Sequence, residues 1–163
     1  MRRVIVNSTP IILFSNINQL NILKQIYREI IIPQAVYDEV TAKADSACQN
    51  LKNNFDWIKI ESIKNPLQKK MYEAKLHDGE VEVMILAQEE PKADLVILDD
   101  NSAKKTAKYL GLTVTGSLGV LLKAKKFKII ESVKPLMDSF IANGFFVTPT
   151  VYDMVLELAG ELH

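Results

Sequence analysis

Oxygen-bearing side chains recur in this chain beside short apolar runs, in positions that suit metal-assisted chemistry. They are Asn7, Glu39, Asp78, Glu80, Asp99 and Asp100. Carboxylates brought together repel one another and are costly to desolvate unless a cation neutralises them. Oxygen ligands suit Mg²⁺ or Mn²⁺, ions that activate water and stabilise a leaving oxygen in phosphate chemistry. The pattern therefore indicates a metal-assisted hydrolytic site.

Each of these acids, considered alone, also has a structural interpretation. Asp78 suits a helix N-cap, and Glu80 in a first helical turn favours the helix dipole. Either Asp99 or Asp100 suits the cap of the helix that follows, and Glu39 suits a solvated helix flank. Their joint occurrence at the ends of elements favours the functional interpretation.

The elements that position these residues are organised around the stretch 76–100. A helix that opens at Asp78 is apolar on nearly all sides, which predicts that it is buried. Ala93–Leu98 is an apolar strand without alternation, as in a parallel sheet that is covered on both faces. Because open α/β sheets bind ligands beyond the carboxyl ends of their strands, Asp99 and Asp100 fall where a site is expected.

The remaining patterns predict strands that alternate with helices, and hence an α/β fold with a central parallel sheet. Further strands are predicted at 4–6, 29–32 and 112–115, with 57–60 as an edge strand or an extended loop. Pro10 favours a helix start with Ser8 or Thr9 as N-cap. Further helices are predicted at 20–26, 34–51, 66–75, 102–110, 118–126, 135–142 and 150–158, with Gly144 as a helix stop.

Composition narrows the class of protein. The 163 residues are 48% hydrophobic and 25% charged, which is typical of one soluble domain. No apolar run approaches the roughly 18 residues that span a membrane. With one cysteine, Cys48, and two histidines, an ordinary zinc site is excluded, and any metal must be held by oxygen. The single cysteine also fits a reducing cytoplasm, where we expect the protein.

Lysines are concentrated in the second half of the chain. Residues 101–135 contain eight lysines and one acid, Glu131. This asymmetry is typical of a face that binds a polyanion, although lysines also solvate ordinary helix surfaces.

Five segments together resemble the PIN-domain family, most closely a branch similar to the VapC-type toxins of toxin–antitoxin pairs. They are VIVNSTPII, IIIPQAVYDEV, LHDGEVEVMILA, LVILDDNSAKKTAKYLGL and GSLGVLLKAKK. The resemblance implies a single PIN-like domain over 1–163, with C-terminal helices from about 131. It also implies a three-layer α/β/α fold and a Mg²⁺- or Mn²⁺-dependent ribonuclease.

The same resemblance assigns roles to individual residues. Glu39, Glu80 and Asp100 match the acids that hold the metal, with Asp99 as a further ligand or a cap. Asn7 stands where the family usually has aspartate, which removes one negative charge from the site. Substrate contacts are expected from Ser8, Thr9, Lys104, Lys105 and Ser117.

The implied partners are RNA, an antitoxin protein and a second copy of this chain. The homodimer expectation rests on the resemblance and on apolar residues at helical spacing in the C-terminal helix, although these equally suit packing on their own domain. They are Val151, Val155, Leu158 and Leu162. Because of Asn7, a PIN-like module that binds RNA or protein but cleaves poorly is the alternative function. A hydrolase of small phosphate esters also fits acids at a sheet edge, because a fold alone does not define a substrate.

Overall fold

A central five-stranded parallel sheet organises the chain. The computed structural model describes residues 2–72 and 76–162. The strands are β1 (Val4–Val6), β2 (Ile30–Pro33), β3 (Ile58–Glu61), β4 (Leu95–Ile97) and β5 (Val114–Thr115). Their spatial order is β3-β2-β1-β4-β5, and every adjacent pair is parallel. The predicted parallel α/β architecture is confirmed, and β3 is an edge strand.

Helices flank this sheet and connect its parallel strands. They are α1 (Ser8–Asn16), α2 (Asn21–Tyr27), α3 (Gln34–Thr41), α4 (Ser46–Lys52), α5 (Asp78–Gln88), α6 (Asn101–Tyr109), α7 (Ser117–Lys126), α8 (Lys134–Ala142) and α9 (Pro149–Leu158). A 3₁₀ helix spans Pro66–Met71. Within the described ranges, none of the helices has the length and apolarity needed to cross a membrane.

The core lies around β1, β4 and α5. Every residue of β1 and β4 is buried, and α5 is buried continuously from Gly79 to Ala87. Burial of one large aliphatic side chain contributes about 1.5–3 kcal/mol, so these segments anchor the fold. The predicted burial of α5 is confirmed, and it fixes the helix start against the sheet.

Three local predictions need correction. The predicted helix 34–51 is two helices, because the Asp45 carboxylate accepts a hydrogen bond from the Cys48 N–H at 3.1 Å and starts α4 anew. Helix α1 begins one residue early, with Asn7 rather than Ser8 or Thr9 at the N-cap position. The predicted helix 66–75 is a 3₁₀ helix to Met71, and residues 73–75 lie outside the described part of the chain.

The predicted stop at Gly144 is confirmed. This glycine follows the C-cap of α8 with a φ of 95°, a conformation that other residues rarely adopt.

Candidate active site

The carboxyl ends of two adjacent central strands form the floor of the candidate site. Asn7 follows β1, and its backbone N–H donates to the Ile97 carbonyl at the end of β4 at 3.0 Å. A cavity of about 260 Å³ opens here. It is lined by Asn7, Ser8, Thr9, Ile12, Glu39, His77, Gly79 and Glu80. Five residues that the sequence assigned to the site thus share one cavity.

Asn7 contributes a carbonyl oxygen that has no partner among the described residues. Its side chain is buried at 4% exposure, and although it occupies the N-cap position of α1 it makes no capping bond. Gly79 makes this arrangement possible, since a Cβ there would lie 3.3 Å from both Asn7 Oδ1 and a Val36 methyl carbon. A buried polar atom without a partner costs about 1–3 kcal/mol, so Asn7 Oδ1 is positioned to accept a ligand.

Glu80 brings a buried carboxylate to the same cavity. It is 5% exposed, and its Oε1 accepts a hydrogen bond from the His77 N–H at 3.0 Å. Burial raises the pKa of Glu80, the negative charges of Asp100 and Glu39 raise it further, and the His77 N–H opposes them. The three acids therefore interact electrostatically. Glu39 and Asp100 are exposed to solvent, whereas Glu80 is buried.

The adjacent residues Asp99 and Asp100 serve different helices. Asp100 caps α6, and its Oδ2 accepts from the Ala103 N–H at 2.9 Å. Asp99 instead receives the Ser117 N–H at 2.8 Å and the Ser117 hydroxyl at 2.6 Å, at the start of α7. Burial raises the pKa of Asp99, while the bonds from Ser117 and the charge of Lys104 lower it.

The residues expected to contact substrate phosphate differ in how close they lie to Asp99 and in whether their donors are already used. A Cβ on Gly116 would lie 2.7 Å from Lys104 Nζ and 2.9 Å from Asp99 Oδ1, which places the Lys104 ammonium beside the Asp99 carboxylate. Lys105 is exposed on α6. Ser117 donates both its N–H and its hydroxyl to Asp99, so these donors already have a structural partner.

Sequence reasoning missed the role of Glu82. This residue is 8% exposed, accepts the Ala35 N–H at the start of α3 at 2.9 Å, and pairs with Lys69 Nζ at 2.8 Å. The signal was available, since an acid inside a helix that is otherwise apolar requires buried partners. Glu82 and Lys69 line a polar cavity of about 680 Å³ that shares Glu39, His77 and Gly79 with the smaller one.

The donor set matches a hard divalent cation. Across residues 2–72 and 76–162, no three His, Cys, Asp or Glu side chains by themselves form a group that could hold an ion. Apart from His77, the side chains with donor atoms that line the cavity present oxygen, including Asn7 Oδ1, which has no partner among the described residues, and the carboxylate of Glu80. Such oxygens suit Mg²⁺ or Mn²⁺ rather than zinc.

A parallel α/β fold with acids and an amide at the carboxyl edge of its central strands defines the general class of this protein. Comparison with known families then identifies it more closely. The family model described as DUF3368: PIN domain matches residues 3–161, nearly the whole chain. The chain therefore belongs to this PIN-domain family, and PIN domains are generally nucleases. No curated protein matches it.

Proposed function

We propose that this protein is a metal-dependent endoribonuclease that hydrolyses RNA phosphodiesters. The observation that carries the proposal is the buried Asn7 Oδ1, which no described residue hydrogen-bonds, in one cavity with the buried Glu80 carboxylate, in a chain of the PIN-domain family. Both groups lie at the carboxyl edge of the sheet, where α/β proteins bind their ligands.

Glu39 and Glu80, which line the cavity, and Asp100, whose charge acts on Glu80, would hold the cation together with the Asn7 oxygen, with Asp99 in support. A bound Mg²⁺ or Mn²⁺ supplies a positive charge for the phosphate oxygens and activates water for attack on phosphorus. Burial and neighbouring acids raise the pKa of Glu80, so its ionised form is disfavoured without a cation nearby. The protein contributes by holding these oxygens in place before the substrate binds.

Ser8, Thr9, Lys104 and Lys105 would contact the RNA backbone. Ser8 and Thr9 line the cavity, and Lys104 lies at the same edge of the sheet beside Asp99. Lysine–phosphate contacts release counterions, so RNA binding should weaken as salt rises. Replacing Lys104, Lys105 and Lys108 together with alanine should flatten that dependence, and an unchanged slope would place the binding face elsewhere.

The test is cleavage of a mixed single-stranded RNA pool in Mn²⁺ or Mg²⁺, against the same reaction in EDTA. We expect metal-dependent fragments from the wild type and a loss of at least about a hundredfold in Glu80→Gln and Asp100→Asn. Asp153→Asn is the matched control, because Asp153 is exposed on α9. Cleavage that persists in EDTA, or that survives Asp100→Asn, would contradict the assigned site.

The alternative is a PIN-like module that binds RNA or protein and cleaves weakly. Asn7 favours it, because an amide in place of a carboxylate removes one negative charge from the site. Metal-independent RNA binding with no cleavage, in both the wild type and Asn7→Asp, would support this module over the nuclease.

We further propose that the protein is the toxin of a toxin–antitoxin pair, with an antitoxin protein as its partner. The segments that resemble VapC-type toxins support this role. Its expression in a bacterial host should stop growth, and Glu80→Gln should relieve the arrest. Normal growth with active, soluble enzyme would contradict the toxin role and leave the nuclease proposal intact.

A further inference from the structure

A cluster of three cations, Arg2, Lys123 and Lys126, lies at the edge of the sheet opposite the acids. Arg2 lies two residues before β1 and Tyr27 lies three residues before β2, so both lie at the amino ends of the strands. Helix α7 begins at Ser117, whose N–H donates to Asp99 at the carboxyl edge, and its ten residues extend about 15 Å before ending at Lys126. The residues at its end, Lys123 among them, therefore lie far from the acids.

Lys123 occupies an unusual position in this cluster. Its Nζ lies 5.0 Å from the centroid of the Tyr27 ring and 5.8 Å from that of Phe127. Partial burial lowers the pKa of Lys123, and the nearby charges of Arg2 and Lys126 lower it further. Cations at the end of a helix favour its dipole, but mutual repulsion at a half-buried site opposes that gain.

The neighbouring Lys125 differs, because it is neutralised within the chain. Its ammonium donates to the Ala159 carbonyl and pairs with the Glu161 carboxylate at 2.9 Å. Among residues 2–72 and 76–162, no carboxylate lies within ion-pair distance of Arg2, Lys123 or Lys126. The cluster therefore has an excess of positive charge that an anion would relieve.

Two aromatic groups complete the surface. Phe127 is 53% exposed beside Lys123, and an exposed ring next to cations suits a stacked base. Tyr27 is 7% exposed, and its hydroxyl has no hydrogen-bond partner among the described residues. Arg2 is near enough to influence that phenol, so a buried donor adjoins the cations.

We propose that Arg2, Lys123, Lys126 and Phe127 form a second contact for single-stranded RNA, with a phosphate among the cations and a base on the phenyl ring. This inference rests on the proposal that RNA is the substrate. Arg2 and Asn7 are five residue steps apart along extended chain, about 16 Å. A stacked strand advances about 3.4 Å per phosphate, so only RNA longer than about five nucleotides reaches both places.

The experiment measures binding of fluorescently labelled single-stranded RNA by anisotropy in EDTA, with strands of about four and about 20 nucleotides. The double variant Lys126→Ala/Phe127→Ala should weaken binding of the long strand about tenfold and leave the short strand unchanged. Lys123→Met tests the half-buried position while it keeps most of the aliphatic stem. Lys43→Ala/Lys52→Ala is the matched control, because both lysines are exposed outside the cluster.

Long-strand binding that is equal in the wild type and the double variant would overturn this contact alone, while metal-dependent cleavage would still support the nuclease. Loss of long-strand binding without any cleavage would support the contact and count against the nuclease. Inorganic phosphate provides the last arm. If inorganic phosphate at millimolar concentration displaces the long strand from the wild type but not from the double variant, the result supports the proposal that an RNA phosphate binds among these cations. If radiolabelled phosphate binds the wild type more tightly than the RNA does, the cluster takes a small anion and the RNA contact is overturned.

Discussion

Replacing Asn7 with aspartate tests whether this position faces the metal. The substitution adds a carboxylate at a 4% exposed position whose side-chain oxygen has no hydrogen-bond partner in the described part of the chain, in the cavity that Glu80 lines. Asparagine and aspartate are nearly the same size, so we expect the fold to persist. The effect should instead be electrostatic, and it should change sign when metal is added.

The size of the effect follows from burial and charge. Two unit charges about 4 Å apart repel by about 4 kcal/mol at an effective dielectric of about 20, and the repulsion falls with separation. Burial and this repulsion both disfavour the ionised form of a new carboxyl group in the cavity. We therefore expect the metal-free variant to lose about 1–3 kcal/mol of unfolding free energy. A cation held by an additional carboxylate should bind more tightly, and ligand at 100 times its Kd stabilises by about 2.7 kcal/mol.

The assay combines urea unfolding, with and without Mn²⁺, and cleavage of the RNA pool. Asn7→Asp should be less stable than wild type without metal, gain more stability from metal, and cleave faster. Asn21→Asp is the matched control, because Asn21 is exposed at the first position of α2. If Asn7→Asp changes neither metal affinity nor cleavage, position 7 does not face the metal and the assigned site loses its central residue.

Three further predictions concern other parts of the molecule. The folded-state pKa of Glu80 is raised, so the stability that this carboxyl group contributes is present at low pH and is lost as pH rises through that pKa. At about pH 8, Glu80→Gln should therefore abolish cleavage without lowering the metal-free stability. A clear loss of unfolding free energy in urea would refute this. Lys69→Met should cost about 1–2 kcal/mol, because it leaves the buried Glu82 without its cation while solvent screens part of the pair, and Lys70→Met should cost almost nothing. The protein should be a homodimer by light scattering at tens of micromolar, and a monomer there would contradict that proposal.

The fold was largely predictable because it depends on local patterns. Continuous apolar runs gave β1 and β4, and the apolar helix after Asp78 is α5. The break between α3 and α4 was harder to see, since the apolar spacing continues across it. The break is fixed there by a single capping hydrogen bond, which the Cys48 N–H donates to the Asp45 carboxylate. Side-chain to backbone bonds of that kind do not change the hydrophobic periodicity of the sequence.

The lysine-rich stretch shows what spacing alone misses. Counted along the chain, its lysines form one belt, but the fold divides them between two edges of the sheet. Lys104 lies beside Asp99 at the carboxyl edge. Lys123 instead lies more than one turn into α7, the helix that runs from this edge toward the opposite one. Lys125 is paired with Glu161, which is 36 residues away. Such pairings depend on topology, which charge counting does not include.

The two buried acids of α5 show why a candidate site is recognised by what its residues lack. Glu82 is almost as buried as Glu80 and lies two positions along the same helix. Yet Glu82 receives a backbone N–H and a lysine, which is the pairing expected of a structural acid. Glu80 receives one backbone N–H and faces the charges of Asp100 and Glu39, while Asn7 Oδ1 in the same cavity receives no hydrogen bond from the described residues. Residues that serve only the fold would gain stability from a cation supplied by the chain at this point, as Glu82 does from Lys69. Within residues 2–72 and 76–162, no lysine or arginine pairs with Glu80 in this way. The missing cation is a cost to the free protein, and it is the feature expected where a divalent cation is to bind.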